Sequence, residues 1–408
     1  MKLNTARFNV GIGWFSLIFC ISVLDLPMRF FLKDSLGMAA SAIAMFFAIA
    51  NIPTYAKPVY GFFTDSVRIM GTRRRAYLII TIPICCILYF VLGFAHNRGE
   101  ALGIYISLTF FLAILSIILG AIIVEYGKKY QITGGLSSMR LAVTKIAVLV
   151  AGPIGGYIAT KDLYVCTSIC VIILVTLLCV YLFSFNEERI PAELTDTRSE
   201  IRKQFENLTH SRVLWLAGLF VFLWKIEPGF NTPLLFYQTN VLHFNSSFIG
   251  TLYSLFAAAG ILGAIIYGYA CKWINLRTLL ILGIIIDALD SLIYLAYASQ
   301  VSAIIITTLN GMTAMLCILP LYDLAARATP SGSESLGYAL LLSVWNLADA
   351  ISDVLGSKLY DYFNLGFNNL VWINTITTAA IILLVPLVPK GITAGTDRKT
   401  ENGNGYRM

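Results

Sequence analysis

The residues of this chain that could do chemistry are charges set among long apolar stretches. Asp25 and Arg29 lie four apart, a spacing that puts both on one face of a helix. They could neutralise each other or serve together as a substrate or proton site. Lys57 precedes Pro58 and follows Pro53, so its helix is expected to bend and leave some carbonyls unpaired. It could snorkel to an interface or face inward toward a substrate. Lys145 lies deeper, near the run Gly152-Pro-Ile-Gly-Gly156, where snorkelling is harder. Lys225 and Glu227 flank a breaker pair, Pro228-Gly229, with Pro233 beyond. Interrupted polar helices are where transporter sites are commonly built. Being two apart, Lys225 and Glu227 would point to different sides of a helix and take separate partners.

The remaining acids within the apolar stretches come mainly in pairs. Asp287 and Asp290 are three apart, and Asp349 and Asp353 four apart. Two carboxylates on one helical face disfavour joint ionisation, so such a pair could be structural, respond to a proton gradient or hold a cation. Glu125 stands near Lys128 and Lys129, and a salt bridge at a helix end is its simplest explanation. The three histidines, His96, His210 and His243, fall in or near loops. No metal site and no cofactor are expected.

These charges need elements to carry them, and composition says which. Charged residues are 12% and hydrophobic ones 58% of 408 positions, against roughly 25% charged in soluble domains. The apolar residues come in blocks of about 20, the length of a helix crossing some 30 Å of hydrocarbon. Twelve crossings are expected, near 10–32, 39–62, 75–95, 101–125, 137–160, 163–185, 212–237, 247–270, 275–298, 301–324, 336–360 and 368–389. The fold class is therefore all-α integral membrane, twelve helices in two six-helix bundles. An N-terminal bundle over 1–185 and a C-terminal bundle over 212–390 flank a polar linker at 186–211, and a disordered tail follows from 391. The first block keeps Asp25 and Arg29 and lacks a cleavage pattern, so it reads as a retained helix. Weak internal repeats pair Gly61 with Gly268, and Gly152–Gly156 with Gly356.

Basic residues give the orientation. Arg68, Arg73, Arg74, Arg75, Lys128, Lys129, Lys272, Arg277 and Arg327 occupy one set of loops, which by the positive-inside rule is cytoplasmic together with both termini. That distribution accounts for the net charge of +7, so nucleic acid is not an expected partner. The eight cysteines sit mostly in apolar blocks as small hydrophobes. There is no Walker-type nucleotide motif and no compact catalytic set, which argues against a pump driven by ATP and against an enzyme. A channel would need a repeated filter. A non-transporting sensor or scaffold is a further class, opposed by deep charges that destabilise the protein unless paired or used.

Specific motifs narrow the reading. Tyr55-Ala-Lys-Pro-Val-Tyr-Gly-Phe-Phe-Thr-Asp65 runs on to Gly71-Thr-Arg-Arg-Arg-Ala-Tyr-Leu78. Phe30-Phe-Leu-Lys-Asp-Ser-Leu-Gly37 precedes it, and Leu324-Ala-Ala-Arg-Ala-Thr-Pro330 and Leu342-Ser-Val-Trp-Asn-Leu347 lie in the second half. Through these runs the chain resembles the folate–biopterin transporter family of the major facilitator superfamily, over most of residues 10–390. The resemblance implies a secondary transporter, proton-coupled, moving folate or related pteridine anions by alternating access. Some branches would carry S-adenosylmethionine or another small metabolite.

The resemblance also implies roles. Arg29, Lys57, Lys145 and Lys225 become partners for an anion, with Glu227 beside them. Asp25, Glu125, Asp287 and Asp290 become proton-coupling candidates. Asp65 with Arg73, Arg74 and Arg75 would hold cytoplasmic helix ends together in one state and release them in the other. Helix four departs from the family pattern, because Leu119-Gly-Ala-Ile-Ile-Val-Glu125 keeps only the final acid. The expected partners are a small molecule, a proton and a lipid bilayer. The protein is expected to act as a monomer in a plasma or bacterial inner membrane.

Overall fold

A computed structural model describes residues 3–66, 72, 74–130, 133–185, 206–330, 333–363 and 365–394. Ten helices in it are long and apolar enough to span a membrane. They are the helices that the 20-residue blocks require. Large apolar side chains such as Phe183 and Leu383 face outward, as a lipid solvent demands and water would penalise.

The chain divides into two compact units, residues 1–195 with 245–254, and residues 196–244 with 255–408. In the first unit, α1 (Leu3–Phe30) packs against α6 (Arg98–Tyr130), α7 (Thr133–Ile158) and α8 (Leu163–Ser184). Small residues and polar contacts replace hydrophobic driving force between helices in lipid. A Cβ on Gly155 would stand 2.9 Å from the Val23 carbonyl oxygen. Tyr181 Oη donates to the Asn9 carbonyl at 2.9 Å, and Ser184 Oγ donates to Asn9 Oδ1 at 2.6 Å.

The other two expected crossings are broken, each at its prolines. The second becomes α2 (Ala40–Ala50), α3 (Ile52–Tyr55) and α4 (Lys57–Ser66), because Pro53 and Pro58 cannot donate to the helical ladder. Side chains bond carbonyls beside the breaks: Thr54 Oγ1 donates to the Asn51 carbonyl at 2.7 Å and Tyr55 Oη to that of Ala48 at 3.2 Å. The fifth helix, α5, runs over Arg75–Leu92. The seventh crossing splits into α9 (Arg212–Lys225), α10 (Asn231–Phe236) and a π-helical turn at Tyr237–Val241. The chain continues with α11 (Ser246–Trp273), which enters the second unit at Leu255, and then α12 (Leu276–Ile293), α13 (Gln300–Ala328), α14 (Glu334–Tyr362) and α15 (Phe367–Ala380) of that unit. The apolar centre of the second unit joins Phe220 and Trp224 of α9 to Ile284, Leu321 and Leu341.

An internal repeat is present, though Gly61 and Gly268 do not carry it, while Gly155 of the fifth crossing and Gly356 of the eleventh each abut backbone of the first and the seventh, at Val23 and Gly229. No atom approaches a Cβ on Gly268, and Gly61 meets only Ile117 at 3.9 Å. The repeat extends to the exits of the first and seventh crossings. Both end in a five-residue π-helical turn, Phe31–Ser35 and Tyr237–Val241. Leu36 N–H donates to the Phe31 carbonyl and Leu242 N–H to that of Tyr237, at 3.1 and 3.0 Å. Met38 to Leu32 and Phe244 to Gln238 form the next matching pair, at 3.0 and 2.8 Å. In each case the second residue after the turn has positive φ: Gly37 at 62° and His243 at 54°. Glycine tolerates this conformation, whereas a side chain there costs about 1–2 kcal/mol, most for a β-branched one. Gly37→Val should therefore lower stability by at least about 1 kcal/mol, and His243→Gly should be tolerated. Thermal unfolding of the two purified variants in detergent checks both.

The chain end departs from expectation as well. A short helix, α16 (Lys390–Thr393), buries Ile392 and Thr393, so the start of the expected tail is tied down by an apolar contact. Residues 395–408 and 186–205 of the expected linker lie outside the described residues.

Candidate functional site

The break in the seventh crossing builds the site. Helix α9 ends at Lys225 because Pro228 lacks an N–H and Gly229 weakens any continuation. Backbone groups freed inside a membrane must find partners within the protein, and neighbouring helices supply them. Asn374 Nδ2 on α15 donates to the Pro228 carbonyl at 2.9 Å. On α14, Ser352 Oγ donates to the Glu227 carbonyl, while the Ser352 carbonyl accepts from Gly229 N–H at 3.0 Å. Asp353 caps the restarted helix, accepting from Thr232 N–H at 2.9 Å and Thr232 Oγ1 at 2.6 Å. Of the Asp349/Asp353 pair, Asp353 is thus committed to holding backbone.

The break opens onto a cavity of about 230 Å³ within the second unit. Its walls carry four carboxylates, Glu227, Asp287, Asp290 and Asp349, and one ammonium, Lys225. Lys225 Nζ lies 3.8 Å from Glu227 Oε1 and 3.9 Å from Asp349 Oδ1, and 5.0 Å from the centre of the Trp345 ring. This corrects the expectation of separate partners for Lys225 and Glu227. Residues two apart diverge on a continuous helix, but this helix stops between them, and the turn brings Glu227 back beside the ammonium.

Asp287 and Asp290 share the cavity-facing side of α12, as their spacing requires. Asp287 Oδ2 accepts from Trp224 Nε1 at 2.8 Å. Asp290 accepts from Thr313 Oγ1 at 2.8 Å and from Asn310 Nδ2, so each of its oxygens has a donor. Glu227 is 8% exposed, and its Oε2 has no hydrogen-bond partner. Asn310, Thr313, Ser352 and Asn374 were absent from the sequence candidates. They are uncharged, and an isolated amide or hydroxyl in an apolar helix is the only signal they leave.

The first unit holds the other predicted groups. Arg29 Nε donates to both oxygens of Asp25 at 3.2 Å, and its guanidinium lies 4.7 Å from the centre of the Phe47 ring. The pair neutralises itself along one helical face. Lys57 and Lys145 are both half-buried. Arg140 stacks its guanidinium 4.0 Å from the Trp14 ring centre, a cation–π contact no spacing rule indicated. None of these basic residues lines the acidic cavity.

At the start of α5, Arg74 is 5% exposed, and its Nε donates to Glu125 Oε1 at 2.9 Å. A partner of Glu125 thus comes from the basic turn; the side chains of Lys128 and Lys129 lie outside the described residues. Arg75 Nη2 donates to the Leu182 carbonyl at 3.3 Å. Arg73 and the side chain of Asp65 also fall outside the described residues. Glu125→Gln removes the charge facing a buried guanidinium, which should lower stability by about 1–3 kcal/mol. Denaturation of the purified variant would measure this.

The sequence profile of the BT1 family matches residues 20–404. The chain belongs to the BT1 family. Its similarity to known members extends over nearly the whole length. It is 26% identical to the folate-biopterin transporter of Synechocystis, over 93% of this chain and 81% of that one. It is 25% identical to folate transporter 1 of Plasmodium falciparum, over 85% and 71%, and 25% identical to a probable folate-biopterin transporter, number 7, of Arabidopsis thaliana, over 88% and 86%. Among solved structures, a D-xylose-proton symporter superposes with a TM-score of 0.74 at 12% identity, over 97% of this chain and all of that one. A nucleoside transporter superposes with a TM-score of 0.73 at 10% identity, over 94% and 98%. At those identities the likeness shows the fold, that of the major facilitator superfamily. This BT1 member is a multi-pass membrane transporter.

Proposed function

We propose that this BT1 member moves folate or a related pteridine across its membrane by alternating access, coupled to protons. The observation that carries the reading is the match to relatives named folate or folate-biopterin transporters along most of the chain. The acidic cavity at the broken helix adds support. It offers a site at a discontinuous helix, the place where transporters of this general type bind cargo. Carboxylates within it could take up a coupling proton, Asp287, Asp290 and Glu227 being the candidates. Arg29, Lys57 and Lys145 are the candidate anion partners in the first unit. Arg74 and Arg75, with Arg73 and Asp65, remain the proposed gate. A cytoplasmic linker at 186–211, cytoplasmic termini and a monomeric transporter in a plasma or bacterial inner membrane complete the proposal.

A second reading has its own support. Four acids against one base, with the Trp345 ring beside them, suit a cation, and a sulfonium such as S-adenosylmethionine would fit that charge. Uptake into proteoliposomes distinguishes the two. Saturable folate uptake, blocked by excess unlabelled folate and stimulated by an imposed acid-outside gradient, is the expected result. Selective S-adenosylmethionine uptake would favour the second reading, and folate uptake indifferent to the gradient would remove proton coupling.

A further inference from the structure

The acidic cavity matches one part of a pteridine and rejects another. Resting on the pteridine reading above, we infer that Glu227 in the second-unit cavity binds an uncharged heterocycle through an edge of adjacent N–H donors, the amino-pyrimidinone edge, and that the cavity does not take a carboxylate tail.

The first support is the inventory of acceptors. Asp290 already accepts from Asn310 and Thr313, and Asp287 accepts from Trp224. Asp349 has a side chain half exposed to solvent. Glu227 is the buried acid with capacity left. Its Oε2 has no partner, and its Oε1 stands 3.8 Å from Lys225, too long for a direct hydrogen bond. A carboxylate with two available oxygens accepts two parallel N–H bonds, and such charge-assisted pairs are the strong ones. A buried acceptor left without a donor is destabilising, so a ligand that supplies donors gains that relief on binding.

Charge makes the second argument. The walls carry four acids and one base. A ligand carboxylate would add a like charge to a site already dominated by acids, whereas a neutral donor edge adds none. Shape makes the third. Phe230, Tyr294 and Trp345 supply flat walls, against which a ring can stack. The volume of about 230 Å³ lies below the roughly 300–1,000 Å³ of sites that enclose drug-sized ligands. That suits a bicyclic ring rather than a ring carrying a long conjugate.

Calorimetric titration of the purified full chain with three probes tests this. Pterin carries the 2-amino group, lumazine replaces it with oxygen, and p-aminobenzoylglutamate is the tail without the ring. Wild type should bind pterin at least tenfold more tightly than lumazine. Glu227→Gln should weaken pterin by about 10- to 100-fold, as expected for loss of a charge-assisted pair, and narrow the pterin-to-lumazine ratio to about twofold while leaving p-aminobenzoylglutamate unchanged. Glu227→Asp, which keeps the charge on a shorter arm, should retain part of the discrimination, and this separates recognition from simple misfolding. Equal weakening of pterin and lumazine, or an unchanged ratio in Glu227→Gln, overturns the inference. If that happens while wild-type folate uptake persists, the inference alone falls. If wild type neither takes up folate nor binds any pteridine, the functional reading falls with it.

Discussion

Lys225→Met is expected to abolish uptake and to lower the thermal stability of the purified protein. The ammonium is the one base among the charged groups lining the acidic cavity, close to Glu227 and Asp349. Removing it leaves the buried Glu227 without a counter-charge. Removing one partner of a fully buried ion pair costs about 3–5 kcal/mol. Here the contacts are 3.8 and 3.9 Å long and Asp349 is half exposed, so about 2–3 kcal/mol is the expected size. Methionine keeps the volume of the side chain, so the loss reads charge rather than packing. The companion test is Lys225→Met combined with Glu227→Gln. If the pair acts as a unit, the double variant recovers most of the lost stability while remaining inactive. A double variant no more stable than Lys225→Met would show that Lys225 matters through another contact.

Gly356→Leu should yield no folded protein. Gly356 lies on α14, where a Cβ would stand 1.6 Å from the Gly229 carbonyl oxygen and 2.7 Å from its carbonyl carbon. The obstacle is backbone, which cannot swing aside like a flexible side chain. The contact belongs to the segment where Ser352 and Asp353 satisfy the broken seventh crossing. Pushing α14 away would therefore strip partners from freed backbone groups as well as overpack the interface, an effect beyond the about 1–3 kcal/mol typical of overpacking alone. Gly366→Ala is the control, because nothing lies within 4 Å of a Cβ there. Size-exclusion chromatography after detergent extraction should show an aggregate or no peak for Gly356→Leu and an ordinary peak for the control. A monodisperse Gly356→Leu protein would contradict the packing account.

The helix breaks were legible in the sequence because their cause is covalent. Pro53, Pro58 and Pro228 cannot donate wherever the chain goes. Two prolines close together, or a proline followed by a glycine, mark the second and seventh crossings, whereas the isolated Pro27, Pro83 and Pro320 sit inside continuous helices. The ten continuous spans followed for a comparably local reason: an apolar block of about 20 residues has one low-energy option in lipid. The pairing of Asp25 with Arg29 and the common face of Asp287 and Asp290 also follow from helical spacing alone.

What spacing could not supply was the direction of the chain after a break. The same Pro228-Gly229 that announced an interruption removed the periodicity needed to place Glu227, which turned back to Lys225. Whether Asp353 is chemistry or scaffold was likewise undetermined until Thr232 was found beneath it. A partner of Glu125 lay 51 residues away in sequence, at Arg74, a contact that no local spacing indicates. Composition and local periodicity, set by covalent geometry and the bilayer, determined by themselves that this is a multi-helix membrane protein with polar, broken crossings. The acidic cavity, and the choice of which acids in it are already satisfied, were decided only by the tertiary structure, because they depend on contacts between helices far apart in the chain that no local pattern encodes.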